Sequence, residues 1–310
     1  MKTQHNNIDY FLGSPDNRYF GDGFRSFYFD LHVLSVSDWE ISGLIHSRYL
    51  GGNRPRNEDP HLGSIEFLAL AMRLGGHGLN RLGKLGIADT NRAFMSHYKL
   101  NTTRVLPVTV IPFCCKIRSS EAHIDSLQGS RSLFEINIGG NIAMLKLDHR
   151  GGARFGRLPV HEIIPYDQQQ LYSEGYRNGL LTIGQVKVDV DNLQITAPIQ
   201  HEYPNNGKLL NGLGSASAAL LGTDATRVFG QLTQVLLYTI EGTDRIQCPN
   251  IWLRKMQLSS KRPLLDSTAH ATVKFHRIRE IQHQGQLWQL IELSGTVGNF
   301  TGNFEVGIMR

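Results

Sequence analysis

Residues 59–76 read Asp59-Pro-His-Leu-Gly-Ser-Ile-Glu-Phe-Leu-Ala-Leu-Ala-Met-Arg-Leu-Gly-Gly76, and this stretch decides the fold. It passes from a polar loop into an apolar segment with a helical stripe at i, i+3, i+4 and i+7: Ile65, Leu68, Ala69 and Met72. The pattern predicts a helix over about residues 62–75, followed by a loop with four glycines: Gly76, Gly78, Gly83 and Gly86. Successive helical residues turn by about 100°, so Glu66 lies beside the stripe, either at the edge of the buried face or inside a site.

A second apolar segment has the same form. Asp224 to Tyr238 predicts a helix with Thr223 or Asp224 as its N-cap and a buried stripe of four residues: Val228, Leu232, Val235 and Leu236. The order helix, strand, hairpin thus occurs twice, and it favours an α+β double hotdog, in which antiparallel sheet wraps each of two long helices. A generic α+β protein with two sheets is the alternative. We expect an N-terminal hotdog-like half over residues 1–150 and a C-terminal one over 158–310, joined by a Gly/Arg-rich linker.

Alternating apolar residues and glycine turns predict the strands around the helices. Leu133 to Ile138 and Asn141 to Asp148 form a hairpin around the turn Gly139-Gly140. The last strands form a meander with a turn at Gln284-Gly285. The extended run Arg104 to Arg118 contains two prolines, which indicate an edge or bulged strand: Pro107 and Pro112.

Composition excludes several classes of function. The net charge of +5 over 310 residues permits an anionic substrate or an acidic protein partner, but no basic block with interleaved aromatics indicates nucleic acid. No apolar run approaches the roughly 18 residues that span a bilayer, and no signal-peptide core follows Met1, so we expect a cytoplasmic protein. The adjacent Cys114 and Cys115 are expected to be reduced core residues. The 13 His and 3 Cys form no pair of closely spaced metal-ligand motifs, so we predict no metal site. The sequence also contains no cofactor motif, so we predict no cofactor.

The start of the first helix is similar to that of hotdog-fold acyl-thioester enzymes. The β-hydroxyacyl-carrier-protein dehydratases use Pro-Gly-x-x-x-x-Glu-Ala, and Pro60 and Glu66 have the same six-residue offset, with His61 in place of the glycine. The dehydratase pattern also has a histidine fourteen residues before the glutamate, where this chain has Gly52. Dehydration is disfavoured because that half of the acid–base pair is missing.

Three longer motifs resemble the avirulence protein D family of plant-pathogenic bacteria: Asp9-Tyr-Phe-Leu-Gly-Ser-Pro-Asp-Asn-Arg-Tyr-Phe-Gly21, Tyr49-Leu-Gly-Gly-Asn-Arg-Pro-Arg-Asn-Glu-Asp-Pro-His-Leu-Gly-Ser-Ile-Glu66 and Gly86-Ile-Ala-Asp-Thr-Asn-Arg-Ala-Phe-Met-Ser-His97. The resemblance implies production of syringolides, which are acyl-sugar lactone elicitors. The family is more distantly similar to the A-factor synthases, which join a β-ketoacyl thioester to a three-carbon phosphosugar on a double hotdog scaffold. The analogous step here joins a β-ketoacyl thioester, on an acyl-carrier protein or coenzyme A, to a sugar or sugar phosphate such as the ketopentose xylulose.

Acyl transfer to a sugar hydroxyl needs a base, donors to the thioester oxyanion and a slot for the acyl chain. Glu66 is the candidate base, since desolvation at the start of a buried helix would raise its pKa. The alternative is a solvated first-turn glutamate that complements the helix dipole. His61 is a second catalytic candidate, or else a surface histidine of the loop.

Substrate-binding candidates lie around the same helix start. In the charged loop before it, Arg54 and Arg56 could clamp a phosphate or phosphopantetheine, with Asn57 and Asp59 beside them; the alternative is a solvated loop. The backbone N–H groups of residues 62–64 could form an oxyanion hole, in which Gly63 admits the thioester closely and Ser64 opens the helix. Alternatively they are the donors that any helix start leaves uncapped.

In the second helix, Arg227 and Gln231 are polar residues near the apolar face. Gln231 is expected at roughly the position in the second helix that Glu66 has in the first. The second half would then have kept the scaffold but lost the acidic side chain. The alternative for Gln231 is a helix-edge amide.

Three classes of function remain open. The first is an acyltransferase or condensing enzyme that uses acyl thioesters. The second is a thioesterase or dehydratase on β-keto- or β-hydroxyacyl thioesters. The third is a non-catalytic effector that binds a host protein. An oligomer is compatible with each.

Overall fold

The computed structural model describes residues 2–5, 7–51, 59–122, 129–151, 162–164, 171–203, 219–248, 250–261, 263 and 266–310. Their strands are β1 Lys2–His5, β2 Phe27–Val36, β3 Glu40–Tyr49, β4 Phe94–Asn101, β5 Val110–Ala122, β6 Ser130–Ile138, β7 Asn141–His149, β8 Glu162–Ile164, β9 Leu180–Ile183, β10 Val186–Asp189, β11 Gln194–Glu202, β12 Ile251–Ser260, β13 Thr268–His283, β14 Gln286–Val297 and β15 Phe300–Met309. The α-helices are α1 Asp9–Leu12, α2 Ser64–Arg81, α3 Ile87–Arg92, α4 Tyr176–Asn178 and α5 Gly222–Glu241. A π-helical turn, Leu171–Gly175, leads into α4.

All the strands belong to one antiparallel sheet, with the order β1-β10-β11-β13-β14-β15-β12-β4-β7-β6-β5-β3-β2-β8 and β9 paired to β11. The pairing of β12 with β4 joins the two halves of the sheet. Helix α2 packs on β5, β6 and β7, and α5 packs on β11, β13 and β14, while the two helices contact each other. The two long helices therefore lie side by side on one continuous antiparallel sheet, which excludes the alternative of two separate sheets. No helix among the described residues is long and apolar enough to cross a membrane.

Each half of the sheet contains one strand from the other half. β1, from the start of the chain, pairs with β10, so that Lys2 lies opposite Asp189. β8, which follows the first half, pairs back onto β2, with Leu31 opposite Ile164. The linker predicted between the halves lies mostly outside the described residues. At each edge of the sheet, a strand from one half of the chain thus pairs with a strand of the other half.

Helix α2 is longer than its sequence predicts. The apolar stripe is buried as expected, but the helix continues to Arg81, so the predicted loop begins at residue 82 instead of 76 and contains only Gly83 and Gly86 of its four glycines. The reason is contact with the sheet: a Cβ at Gly78 would lie 2.5 Å from the ring of Phe134. A glycine inside a helix usually costs about 1 kcal/mol, and here it permits close packing of α2 on β6.

The hairpin and meander predictions are confirmed; of the two alternatives for β5, the edge strand is wrong, but the strand does have an irregularity in its ladder to β6, between Ile117 and Ser119. The β6–β7 hairpin turns at Gly139-Gly140, both with positive φ, and β13, β14 and β15 form the meander. β5, however, lies inside the sheet between β3 and β6. Pro112 is tolerated because the ladder to β6 begins only at Phe113, so the missing N–H leaves no bond of that ladder unmade.

Candidate functional site

Glu66 is wholly buried at the third position of α2, with 0% of its surface exposed. Its Oε2 accepts a 2.8 Å hydrogen bond from the backbone N–H of Gly63 and a second bond from the hydroxyl of Tyr19. The hydroxyl oxygen of Tyr19 in turn accepts from the N–H of Ile65 at 3.2 Å. The first turn of α2 is therefore closed by a carboxylate and a phenol, and Glu66 is not a solvated residue that merely complements the helix dipole.

Asp224 repeats this construction at the start of α5. It also occupies the third helical position and is 1% exposed. Its Oδ2 accepts from the N–H of Leu221 at 3.1 Å and from the hydroxyl of Tyr203. Leu221 is the N-cap, so the predicted cap at Thr223 or Asp224 is wrong. The two long helices thus begin with the same carboxylate–tyrosine pair.

Gln231 is not the counterpart of Glu66, contrary to the sequence-based expectation. It lies two turns further along α5 than Asp224, and its amide donates to the carbonyl of Phe20 at 3.1 Å. Arg227 is buried beside it, donates to the carbonyl of Gly21 at 3.0 Å and pairs with Asp224 at 3.6 Å. The second half kept an acid at its helix start. A substrate-binding role for Arg227 and Gln231 stays a prediction, and their bonds to the backbone at Phe20 and Gly21 do not favour it.

The segment around Tyr19 and Phe20 lies between the two helices. The two rings pack edge to face with centroids 4.8 Å apart. A Cβ at Gly63 would lie 2.5 Å from Cζ of Tyr19, and a Cβ at Gly230 would lie 2.6 Å from the ring of Phe20. Glycine at these two positions therefore lets the aromatic pair contact both α2 and α5. We call residues 19 and 20 the aromatic wedge.

The helical segment Leu171–Asn178 brings a tyrosine to each carboxylate. Tyr172 and Tyr176, one turn apart, have pKa values raised first by burial and then by a neighbouring carboxylate, Asp224 for the former and Glu66 for the latter. The backbone amide of Gly222 acts in the opposite direction and lowers the pKa of Tyr172. Burial and the Asp224 charge likewise raise the pKa of Tyr203 well above 10. These phenols are therefore protonated near neutral pH, and of the three the Tyr203 hydroxyl donates a hydrogen bond, to Asp224.

The expected oxyanion hole at the start of α2 is largely occupied by the protein itself. The N–H of Leu62 donates to the carbonyl of Leu106 at 2.9 Å, and that of Gly63 donates to Glu66. The close approach that Gly63 permits is made by Tyr19, not by a ligand. Ser64 is buried at the first position of the helix. Two of the three predicted donors are thus committed to holding the helix start.

His61 and Asp59 precede the first residue of α2. The ring of His61 stacks on Trp252 with centroids 5.4 Å apart, and its Nδ1 lies 3.2 Å from the carbonyl oxygen of Asp59. These contacts direct His61 towards β12. Asp59 is exposed. The remaining candidates of the charged loop lie outside the described residues: Arg54, Arg56 and Asn57.

Sequence reasoning missed Asp224 and its tyrosine partners. Two signals could have found them: Asp224 and Glu66 each open an apolar helical stripe, and Tyr19 lies in the first of the three long motifs. The pairing itself depends on contacts across the fold, since Tyr19 and Glu66 are 47 positions apart in the sequence. Among the described residues, no group of three or more His, Cys, Asp or Glu side chains is arranged to hold a metal ion.

Fold and site define an α+β protein with one antiparallel sheet and two central helices, each opened by a buried carboxylate–tyrosine pair. The model of the family described as Pseudomonas avirulence D protein (AvrD) matches residues 3–307. The chain belongs to this family, which confirms the resemblance of the three long motifs. No curated protein matches the sequence.

Solved structures with similar folds include three proteins of low identity. The tesB protein of Mycobacterium avium subs paratuberculosis is 9% identical, with a TM-score of 0.48 over 90% of this chain and 96% of its own. A conserved hot dog fold protein of unknown function from Alicyclobacillus acidocaldarius is 10% identical, with a TM-score of 0.42 over 94% and 98%. The 12:0-ACP thioesterase from Umbellularia californica is 9% identical, with a TM-score of 0.44 over 87% and 94%.

Proposed function

We propose that this protein is an enzyme of syringolide biosynthesis that joins a β-ketoacyl thioester to a ketopentose such as xylulose, with Glu66 as the general base. The observation that carries the proposal is the wholly buried carboxylate of Glu66 at the start of a central helix, held by Tyr19 and Gly63. Membership of the AvrD family supports the proposal, because the substrate class is the one that the resemblance to this family implies. The scaffold that fits two such helices on one sheet is a double hotdog.

In the proposed step, Glu66 takes the proton of a sugar hydroxyl while the hydroxyl oxygen attacks the thioester carbonyl. The carbonyl oxygen becomes an oxyanion, and the intermediate collapses to an ester as the carbon–sulfur bond breaks. The leaving thiolate recovers the proton from Glu66, so that one ester and one free thiol are formed. The carboxylate is thus regenerated without a co-reactant.

We assign to Tyr176 the donation of a hydrogen bond to the thioester oxyanion. The backbone N–H groups of Leu62 and Gly63 cannot do this, because both already donate to other groups of the protein. The hydroxyl of Tyr176 is buried, has no hydrogen-bond partner among the described residues and lies near enough to Glu66 for the carboxylate charge to raise its pKa. A buried phenol without a partner would bind an oxyanion strongly, because no bond has to be broken first. The charged loop, with Arg54 and Arg56, would hold the phosphate of the carrier or the sugar.

The decisive experiment is product formation. Purified protein is incubated with a β-ketooctanoyl thioester and xylulose or xylulose phosphate, and the products are followed by mass spectrometry. Glu66→Gln should lower turnover by about 10²- to 10⁴-fold, the usual contribution of a positioned general base. The matched control is Glu280→Gln, on an exposed strand position, which should leave turnover unchanged. Turnover of Glu66→Gln within about threefold of the wild type would assign Glu66 a purely structural role.

The main alternative is a thioesterase, because a buried carboxylate would activate water as well as a sugar hydroxyl. The same incubation separates the two activities. A thioesterase would release free thiol and free β-keto acid at the same rate with and without xylulose, whereas the proposed acyltransferase would release thiol only when the sugar is present.

A further inference from the structure

The face of the sheet that points away from α2 and α5 carries a cluster of basic side chains. Successive residues of a strand point to opposite faces of the sheet. On β4, Tyr98 and Leu100 are wholly buried on the helix side, so Lys99 between them points the opposite way and is exposed. Together, β4, β12 and β13 present six lysines and arginines on this side, which we call the basic face: Lys99, Arg254, Lys255, Lys274, Arg277 and Arg279.

Three of these cations converge on one carboxylate of β15. Glu305 lies 3.2 Å from Nζ of Lys255 and 3.5 Å from Nε of Arg254. Nη2 of Arg279 lies 3.7 Å from the same carboxylate and 3.4 Å from that of Glu292. The side chain of Glu305 is 11% exposed, whereas those of Lys255 and Arg254 are 61% and 48% exposed. The cluster therefore has a surplus of positive charge, and its cations face the solvent.

Polar uncharged groups separate the cations across the sheet. Starting at Lys99, the cross-strand neighbours are Gln257, Asn303, Ser294 and Lys274 in turn. This row has no aromatic ring on which a nucleobase could stack, which disfavours single-stranded nucleic acid as its ligand. The row crosses five strands spaced about 4.8 Å apart, so it is about 20 Å long. A surface of this length contacts a protein domain rather than a single phosphate group.

The pKa of a half-buried histidine beside the row reflects the same positive charge. His97 lies two residues before Lys99 on β4, and its Nδ1 is 2.9 Å from the hydroxyl oxygen of Ser259. Burial lowers its pKa first, followed by the charges of Lys146, Lys99 and Arg131. The positive potential therefore extends from β13 to β4 and β7.

The basic face begins close to the start of α2. Trp252 lies on β12 two residues before Arg254, and its ring stacks on that of His61 with centroids 5.4 Å apart. His61 precedes Ser64, the first residue of α2, by three positions, and Glu66 is the third residue of that helix. A partner bound to the basic face is thus next to the segment that leads into the proposed catalytic helix.

We propose that the basic face docks an acidic acyl-carrier protein, which delivers the β-ketoacyl thioester to the site at Glu66. The identity of the acyl group rests on the proposed function, whereas the docking surface rests on the charge of the face. Opposite charges steer two proteins together and orient them before contact. The carrier is then preferred over coenzyme A as the acyl donor, because coenzyme A has no acidic protein surface to place on this face.

Binding of a loaded carrier tests the proposal without turnover. The probe is a bacterial fatty-acid acyl-carrier protein whose β-ketooctanoyl group is attached through an amide, so that it cannot be transferred. Calorimetry should find binding that weakens at least about tenfold between roughly 50 and 300 mM salt. Lys99→Glu combined with Lys274→Glu should weaken binding at low salt by at least about tenfold. Both side chains are exposed and lie outside the Glu305 cluster, so this variant should keep the wild-type Tm.

A matched control and a second variant keep the test decisive. Lys84→Glu, exposed after the end of α2, should bind the carrier as the wild type does. If the first variant does not fold, Arg254→Gln combined with Lys255→Gln replaces it, with the same expected loss. Either double variant should bind the matching amide analogue of β-ketooctanoyl coenzyme A as tightly as the wild type does.

The proposal is overturned if the wild type does not bind the carrier, or if the double variants bind it as tightly as Lys84→Glu does. It is also overturned if a DNA duplex binds the wild type as tightly as the carrier, because the face would then recognise negative charge of any kind. Failure of the proposed function has a different signature: the carrier binds and the double variants weaken it, but Glu66→Gln retains full turnover.

Discussion

Replacing Gly63 by alanine tests whether the aromatic wedge holds the start of α2. The new Cβ would lie 2.5 Å from Cζ of Tyr19 and closer still to its hydroxyl oxygen. An ordinary contact needs at least 3.4 Å, so the tip of the ring must move by about 1 Å. Phe20 and Phe27 pack edge-on against that ring, at 4.8 and 6.5 Å between centroids, and limit where it can go.

The displaced hydroxyl would lose two hydrogen bonds. The bond to the carboxylate of Glu66 is worth about 1.5–3 kcal/mol, and the one from the N–H of Ile65 about 1 kcal/mol. We expect Gly63→Ala to lower the free energy of unfolding by about 2.5–4 kcal/mol. For a chain of this length each kcal/mol shifts Tm by roughly 2 °C, so calorimetry should show a fall of about 5–8 °C.

Two comparisons make this result interpretable. Gly86→Ala, where a Cβ would meet open space, should leave Tm within about 1 °C. In a double-mutant cycle with Tyr19→Phe, the two changes should be non-additive by at least about 1 kcal/mol, because the phenylalanine ring has no hydroxyl left to displace. A Gly63→Ala protein with wild-type Tm and no coupling to Tyr19 would refute this account of the helix start.

Two further predictions follow from the same structure. Tyr203→Phe removes a donor to the buried Asp224 and should lower the free energy of unfolding by about 1.5–3 kcal/mol; Tyr10→Phe, 74% exposed, should change it little, and equal effects in urea titrations would contradict the pairing. Burial and the charges of Arg73 and Arg81 lower the pKa of His77 from 6.5 to about 3, so below pH 6.5 the unfolded chain binds a proton that the folded chain does not. Between pH 7 and pH 5 this should remove up to about 2 kcal/mol of stability, and His77→Gln should flatten that slope.

The sequence predicts the elements with strong local patterns. The apolar stripe of α2, the Gly139-Gly140 hairpin and the final meander depend on residues close together in the chain, and all three are present. The extension of α2 through Gly78 could not be predicted from helix propensity, which penalises glycine. It depends on Phe134, a residue of another element that occupies the space of the absent side chain.

The candidate site was predictable to a smaller extent. The position of Glu66 beside the apolar stripe predicts a residue at the edge of the buried face or inside a site, and Glu66 is buried. The commitment of the Gly63 N–H to Glu66 and the match between Asp224 and Glu66 were not foreseen. Both depend on tyrosines brought in from distant parts of the chain, Tyr19 and Tyr203, and local patterns hold no information on such long-range contacts.

The exchange of edge strands has a consequence for the order of folding during synthesis. β1 is made first, but its partner β10 follows roughly 180 residues later. At about 5–20 residues per second, that interval is roughly 10 to 40 s. During this time the nascent first half carries an unpaired strand and the face of α2 that α5 will cover. Such surfaces favour association between chains, so we expect the yield of native protein to depend on how fast the second half follows.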